Sequence, residues 1–223
     1  MFLCRPHISI KYIDFVRKNM GVKIIYFGED LQYLREKREY DTTSDVELKH
    51  SAERWEKIEY ELMEKSDISL TLSLYEKEIM KQRIGEHKVY ISPVFFYTNE
   101  EINKQAVEMQ GRQGILFVGG FGHHPNADGV LWFVKGVLRK IRKSIPNCTF
   151  YIVDPYPTAQ VQALADGHTI VTGHVSDEEL ERYYAQARVI VIPLRYGAGV
   201  TGKTIEIYIT VFPWFQHRSG QKV

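Results

Sequence analysis

Residues 114–141 read GILFVGGFGHHPNADGVLWFVKGVLRKI and contain the signals that decide the fold of this chain. The first seven residues, Gly114–Gly120, form an apolar run that predicts a buried strand. Pro125-Asn126 opens a segment whose apolar residues recur every three or four positions, which predicts a long helix. A glycine-rich turn, Gly119–Asn126, joins the two. We therefore expect strand, turn and helix in succession, an arrangement typical of Rossmann-like parallel sheets.

The same alternation extends over most of the chain. Six further apolar or β-branched runs predict strands at Val22–Gly28, Asp67–Ser73, Lys88–Val94, Thr149–Asp154, Thr169–Val175 and Val189–Leu194. Several are apolar on both faces, as buried parallel strands are. Two helix starts match the S-x-x-E capping box, Ser73 with Glu76 and Ser176 with Glu179. The order predicts an α/β fold with right-handed crossovers.

A change in composition near residues 97–112 divides the chain, because this segment has little apolar periodicity and is predicted to be a linker. We expect an N-terminal α/β domain over residues 1–96 and a C-terminal one over residues 113–206, followed by a tail over residues 207–223.

The composition argues against several classes of protein. The 29 Lys and Arg residues nearly balance the 28 Asp and Glu residues, whereas a nucleic-acid binder needs a basic excess. The two cysteines, Cys4 and Cys148, cannot form a disulfide framework and favour a reducing compartment. No apolar run approaches the ~18 residues that span a bilayer. We therefore expect a soluble cytoplasmic protein that does not bind nucleic acid.

A second glycine-rich stretch, Arg195–Glu206 (RYGAGVTGKTIE), follows the last of these predicted strands. It contains a literal G-x-x-x-x-G-K-[ST] string, Gly197 to Thr204, so one interpretation is a P-loop with Lys203 on nucleotide phosphates. A P-loop is normally followed by an apolar strand ending in Asp, but the only such run, Phe150–Asp154, lies upstream. A P-loop nucleotide-binding protein is thus the alternative, and a phosphate-contacting loop of another kind is favoured.

With both loops located, the chain resembles a retaining glycosyltransferase of the GT-B fold, family 4 (group 1) type. The similarity covers residues 5–206 and is carried by residues 117–141 and 173–206, and earlier by 24–40 and 65–80. Such enzymes have two Rossmann-like domains and hold a nucleotide sugar in the C-terminal domain and the acceptor in the N-terminal domain. The resemblance implies a partial N-terminal Rossmann-like domain over residues 1–96, a partial C-terminal one over residues 113–206 and an aberrant tail over residues 207–223, because two complete domains of such an enzyme need more than 223 residues. The resemblance implies transfer from a UDP- or GDP-linked sugar to a glycan or lipid-linked acceptor. It also implies no metal cofactor, because amides, a helix dipole and basic side chains neutralise the diphosphate.

The resemblance further implies site residues. The donor-binding set is Gly119, Gly120, His123, Asn126, Arg195, Gly197, Gly199, Val200, Lys203 and Glu206. Within it, Lys203 is expected near the diphosphate and Glu206 on the ribose hydroxyls. Asn126 is expected to cap the helix and to leave the following amides aimed outward. Where relatives place His-Asp after the matching strand, this chain has Glu29-Asp30, the candidate catalytic pair, and the missing histidine argues against full turnover.

The last 17 residues, IYITVFPWFQHRSGQKV, depart from the family pattern. One back-translation, read in a second frame, gives the family-like LYYGVPMVSTSIGAEG, so we hypothesise a frameshift near codon 207. On this hypothesis the tail lacks the final strands, exposes Val211–Phe215, and leaves the chain with little or no transferase activity.

A basic helix face also indicates contact with a membrane surface, such as the inner membrane. Its residues are Lys135, Arg139, Lys140, Arg142 and Lys143.

Overall fold

The computed structural model describes residues 1–92 and 110–198, together with the backbone of residues 214–216. Contacts between Cα atoms divide the chain into two compact units. The first unit is Met1–Phe96 with Tyr196–Thr201 and Gly220–Val223, and the second is Tyr97–Arg195 with Gly202–Ser219. Most of the predicted linker lies outside the described residues.

The first unit contains a parallel sheet with the strand order β1-β2-β3-β4. The strands are β1 Phe2–Cys4, β2 Ile25–Phe27, β3 Ile68–Thr71 and β4 Val89–Ile91. The helices are α1 Pro6–Ser9, α2 Ile13–Asn19, α3 Gln32–Thr43, α4 Val46–Lys65 and α5 Leu74–Ile84, followed by the 3-10 turn Glu86–Lys88. The three predicted strands in this part of the chain are confirmed, and β1 is an addition.

The core of the first unit forms where α3, α4 and α5 meet the sheet. Ile24, Tyr26, Leu62 and Met63 are fully buried there. Helix α4 has a solvated side, as its charge pattern predicts, but Glu59 lies on its buried side with no exposed surface. A fully buried glutamate needs partners, because an uncompensated charge in a core is costly.

The second unit contains a five-stranded parallel sheet with the order β7-β6-β5-β8-β9. The strands are β5 Ile115–Val118, β6 Phe150–Val153, β7 Thr169–Val171, β8 Val189–Ile192 and β9 Trp214–Gln216. The helical segments are α6 His124–Trp132, the π-helix Phe133–Leu138, α7 Arg139–Ser144, α8 Ala159–Gln162 and α9 Asp177–Gln186. The four predicted strands here and the α/β fold with parallel sheets are confirmed.

The strand order identifies the edge of the second sheet at which a ligand binds most readily. The chain runs outward through β5, β6 and β7 and then returns to place β8 on the other side of β5. In open parallel sheets such a reversal creates a crevice at the carboxyl ends of the two central strands. The turns after β5 and β8 both begin at this edge.

The tail and one capping box correct the predictions. Trp214–Gln216 pairs in parallel with β8, so the expectation that the tail lacks strands is wrong for these residues. Aromatic residues favour strands, and the free edge of β8 supplies backbone partners. The box at Ser176 is confirmed in both directions, whereas at Ser73 only one of its two bonds is present, in which the Glu76 backbone amide donates to the Ser73 hydroxyl. The Glu76 carboxylate contacts other groups, as described below. The predicted exposure of Val211–Phe215 lies outside what the structure describes.

Within the described parts of the chain, no helix is both long enough and apolar enough to cross a membrane.

Candidate functional site

The turn after β5 is held in place by the neighbouring strand β6. The Gly119 amide donates to the Val153 carbonyl at 3.1 Å, which continues the strand pairing by one residue. The Phe121 amide then donates to Asp154 Oδ2 at 2.5 Å. Asp154 is buried, and its other oxygen accepts from the Tyr156 amide at 2.5 Å. One carboxylate therefore fixes the glycine-rich turn and the turn after β6 together.

Asn126 does not cap the helix, which corrects the sequence-based expectation. Helix α6 begins at His124 with His123 as its N-cap residue, and Pro125 occupies the first turn. Proline is favoured there because its fixed φ suits a helix and its missing N–H has no partner to lose. Asn126 is buried instead, and its Nδ2 donates to the Gly120 carbonyl at 2.6 Å. Asn126 thus shapes the turn from inside.

Nothing in the chain itself requires glycine at positions 120 and 122. Neither has a positive φ, and a Cβ added at either would meet no atom within 4 Å. Gly129 in α6 is different, because a Cβ there would lie 2.6 Å from the Pro193 carbonyl oxygen. The space beside Gly120 and Gly122 is therefore open to another molecule, whereas Gly129 is required for close packing.

The turn after β8 lies against the same helix. Arg195 makes a bidentate ion pair with Asp128 of α6, in which its Nε donates to Asp128 Oδ2 at 2.7 Å. Both side chains keep part of their surface exposed. The close approach of Gly129 to Pro193 fixes the distance between α6 and this turn. The structure thus brings Arg195 to the edge that carries the turn after β5.

The remaining donor residues predicted from the sequence are not all placed together. Gly197 is buried and belongs to the first unit by its contacts, and its carbonyl accepts from the Arg38 guanidinium of that unit. Gly199, Val200, Lys203 and Glu206 lie outside the described residues. Their donor-binding roles stay predictions, as does the role of Gly197.

In the first unit, Glu29 and Asp30 follow β2 and line a cavity of about 330 Å3. The other lining residues include Arg5, His7, Gln32, Arg35 and Trp55. Asp30 Oδ2 accepts from Arg35 Nη1 at 2.5 Å, so this carboxylate is neutralised locally, while Glu29 is exposed. The half-buried Trp55 presents an aromatic surface among polar groups. Such a mixture can hold a sugar, which has both hydroxyls and an apolar face.

Two buried glutamates hold the turn that carries Glu29 and Asp30. Glu59 accepts from the amides of Gln32 and Tyr33, and Glu76 accepts from the amide of Leu31. Burial raises the pKa of Glu59 from the ordinary 4.5 to about 8, although the two amide bonds act in the opposite direction. Sequence reasoning missed these contacts because Glu59 and Glu76 lie far along the chain from the turn.

A larger cavity, of about 660 Å3, lies at the opposite end of the second sheet. It is lined by Ile115, Val189 and apolar residues of the π-helix and α7, with a few polar groups at its rim. Ile115 and Val189 are the first residues of their strands, so this cavity is far from the turns described above. No cluster of three metal-ligating side chains is found among the described residues.

Comparisons with known proteins support the fold, and one of them covers both turns of the second unit. The model of the family described as Glycosyl transferases group 1 matches residues 112–213, which include both turns of the second unit. This part of the chain is therefore similar to the glycosyl transferases group 1 family. The match includes seven residues of the predicted tail, 207–213. No curated protein matches the chain.

Several solved structures share the fold over nearly the whole chain. A sucrose-phosphate synthase from Thermosynechococcus elongatus superimposes with a TM-score of 0.63 at 15% identity, covering 96% of this chain and 55% of the synthase. TarM gives 0.70 at 11% identity, covering 99% of this chain and 41% of TarM. The pneumococcal O-GlcNAc transferase GtfA, solved with UDP and GlcNAc, gives 0.59 at 13% identity and covers 94% and 40%.

These structures are GT-B glycosyltransferases, and the two sheets of this chain are Rossmann-like sheets of that type. The chain spans 55% or less of the length of each of the three. Neither the family match nor the shared fold supports the P-loop alternative.

Proposed function

We propose that the chain is part of a retaining glycosyltransferase of family 4 that transfers a hexose from a nucleotide sugar to a glycan or lipid-linked acceptor. In this proposal the second unit binds the nucleotide sugar through the turns after β5 and β8. The first unit binds the acceptor in the cavity beside Glu29 and Asp30. UDP is the first nucleotide to test because GtfA was solved with UDP, and GDP is the second.

The observation that carries the proposal is the open space beside Gly120 and Gly122 at the start of helix α6. Packing within the chain does not require glycine at these positions. A bound diphosphate benefits from it, because without a side chain there it can approach the backbone closely. The first amides of a helix point outward and carry a partial positive charge. The family match over this turn favours a nucleotide diphosphate as the ligand.

We further propose that no metal ion is required. The amides of the turn and the dipole of α6 supply positive potential at one edge of the sheet, and Arg195, paired with Asp128, lies at the same edge. Gly197, Gly199, Val200, Lys203 and Glu206 complete the donor site in this proposal, with Lys203 near the diphosphate and Glu206 on the ribose.

Calorimetry with UDP and with GDP, each in the presence of EDTA, tests the donor site directly. We expect UDP to bind, and Gly120→Ala to weaken binding at least about tenfold by filling the ligand's space. Gly167→Ala is the matched control, because a Cβ there also meets open space and its φ is not positive, but it lies at the amino end of β7. Equal effects of the two variants, or no binding of either nucleotide, contradicts the proposal.

Binding is the appropriate first measurement because we expect this chain alone to show little or no transferase activity. It spans about half of each compared structure, and the resemblance implies a histidine where this chain has Glu29. Sugar transfer from UDP-glucose by the purified chain, at a rate typical of enzymes, contradicts this expectation.

A cytoplasmic location at the inner membrane surface is a separate part of the proposal. Lys135, Arg139, Lys140 and Lys143 are exposed, but Arg142 is not available, since it donates to the His168 carbonyl at 2.7 Å and to Thr169 Oγ1 at 3.0 Å. Four exposed cations on adjacent turns favour contact with anionic lipid. Salt-sensitive co-sedimentation with phosphatidylglycerol vesicles tests this, and unchanged binding by a Lys140→Glu/Lys143→Glu variant contradicts it.

A further inference from the structure

The turn after β2 has an unusual set of backbone contacts. Three consecutive amides at the start of α3 donate to carboxylates from two other helices. The Leu31 amide lies 3.2 Å from Glu76 Oε1, and the Gln32 and Tyr33 amides lie 2.8 and 3.0 Å from the two oxygens of Glu59. Each of these three amides therefore donates to a carboxyl group, although no side chain next to them in sequence provides one.

Burying Glu59 is costly. The side chain has no exposed surface, and desolvation outweighs the two amide bonds, so its pKa is raised to about 8. An apolar residue would be cheaper at such a position if packing were its only task. What Glu59 supplies instead is a fixed position for Gln32 and Tyr33. Glu29 and Asp30, which line the cavity, lie just before these two residues in the chain.

The groups on either side of the Glu59 contacts belong to that cavity. The cavity is lined by Gln32, by Arg35 and by the pair Glu29-Asp30. Arg35 donates to Asp30 and also to the Gln32 side chain. A shift of the Gln32 backbone therefore moves the Arg35–Asp30 ion pair, which sets the charge of the cavity.

We propose that Glu59 is a positioning residue that fixes the turn Gly28–Gln32 and, through it, Glu29 and Asp30 in the cavity. The description of this cavity as an acceptor site rests on the proposed function, but the positioning role does not. Glu76 has the same role at the Leu31 amide, and it also accepts from Thr71 Oγ1 at 3.0 Å.

The state of the Glu59 carboxyl group determines how well it performs this role. Each oxygen accepts a hydrogen bond from a backbone amide. Protonation turns one of the oxygens into a hydroxyl, which is the weaker acceptor. The groups that face Glu59 are Tyr26 on β2, Asp30 in the turn, Tyr33 on α3 and Glu76 on α5. Burial raises the pKa of both tyrosines above their usual range, so they stay protonated when Glu59 ionises.

Amide resonances of the full chain, followed by NMR from pH 6 to pH 10, test the proposal. In the wild-type chain we expect the Gln32 and Tyr33 amides to shift with a common midpoint near pH 8. We expect the Glu29 and Asp30 amides to shift with the same midpoint, because the turn moves with Glu59. A purely structural glutamate would leave Glu29 and Asp30 unchanged, and that result overturns the proposal.

Two variants separate Glu59 from general effects of pH. Glu59→Gln is isosteric and does not titrate, so it removes the midpoint near pH 8 and speeds exchange of the Gln32 and Tyr33 amides about 10- to 100-fold. Glu56→Gln, exposed on the same helix, leaves both unchanged. If Glu59→Gln fails to fold, the wild-type titration alone decides. A chain that passes this test but binds no sugar supports the positioning role and counts only against the acceptor site.

Discussion

The turn after β2 in the first unit and the turn after β5 in the second unit both donate backbone amides to a buried carboxylate. In the second unit the carboxylate is Asp154, which directly follows the neighbouring strand β6. In the first unit it is Glu59, which lies in the middle of α4. Strand pairing thus positions the carboxyl group in the second unit, whereas helix packing positions it in the first unit.

This difference has a physical consequence. Asp154 is carried to the turn by the register of β5 and β6, and its two amide partners belong to two turns at one sheet edge. Glu59 is carried by the packing of α4 against α3, which buries it among other acidic and phenolic groups. We therefore expect the turn after β2 to respond to pH through Glu59, and the turn after β5 to depend on the presence of the Asp154 side chain.

The largest expected effect is the pH dependence of stability due to Glu59. The folded chain raises the pKa of Glu59 from 4.5 to about 8 and so holds this proton more tightly than the unfolded chain. The resulting stabilisation is complete below about pH 4.5 and is lost as the pH rises through about 8. Between pH 5 and 9 we expect a loss of about 4 kcal/mol.

Urea unfolding of the wild type and of Glu59→Gln across this pH range measures the effect. The variant should lack this part of the pH dependence, since a carboxamide does not titrate, while Glu56→Gln should keep it. Parallel curves for Glu59→Gln and the wild type would show that Glu59 is not the group responsible.

The second largest effect is expected at Asp154. Asp154→Ala leaves the Phe121 and Tyr156 amides without their charged acceptor, and we expect a loss of about 3 kcal/mol. Urea unfolding at constant pH measures it, with the exposed Glu181→Ala on α9 as a control that should change stability by less than about 0.5 kcal/mol. A loss at Asp154 no larger than at Glu181 contradicts the assigned contact.

The features that could be predicted from the sequence are those with local signals. All seven predicted strands were found because each is an apolar run, and the Ser176 box was found because its partners are three residues apart. The strands β1 and β9 have three residues each, and only their pairing partners define them. Such pairing is a tertiary effect with no signal in a short window.

The contacts that fix the two turns could not be predicted for the same reason. Glu59 lies 27 residues from Gln32, Glu76 lies 45 from Leu31, and Asp154 lies 33 from Phe121. The Ser73 pattern even suggested a different, local partner for Glu76. A buried carboxylate contacts the nearest unpaired amides in space, and these are determined by the fold.

The third prediction concerns Gly129, where glycine is required for close packing in the second unit and does not leave space for a ligand. Gly129→Ala places a Cβ 2.6 Å from the Pro193 carbonyl oxygen, so α6 must move away from the turn after β8. We expect a loss of about 2 kcal/mol, as for other overpacked positions. Thermal unfolding measures the loss, and an unchanged midpoint means that the helix and the turn are not in close contact.

The smallest expected effect on stability is at Gly120. Its φ is not positive and a Cβ meets no atom within 4 Å, so Gly120→Ala removes freedom only from the unfolded chain. We expect a gain of up to about 0.5 kcal/mol in unfolding free energy. Because the same substitution should weaken UDP binding, stability and affinity are expected to change in opposite directions. Gly129→Ala should lower both, since it displaces Arg195 together with the backbone beside Pro193. A loss of stability at Gly120 similar to that at Gly129 would mean that the turn after β5 is already filled by the chain itself and has no room for a diphosphate.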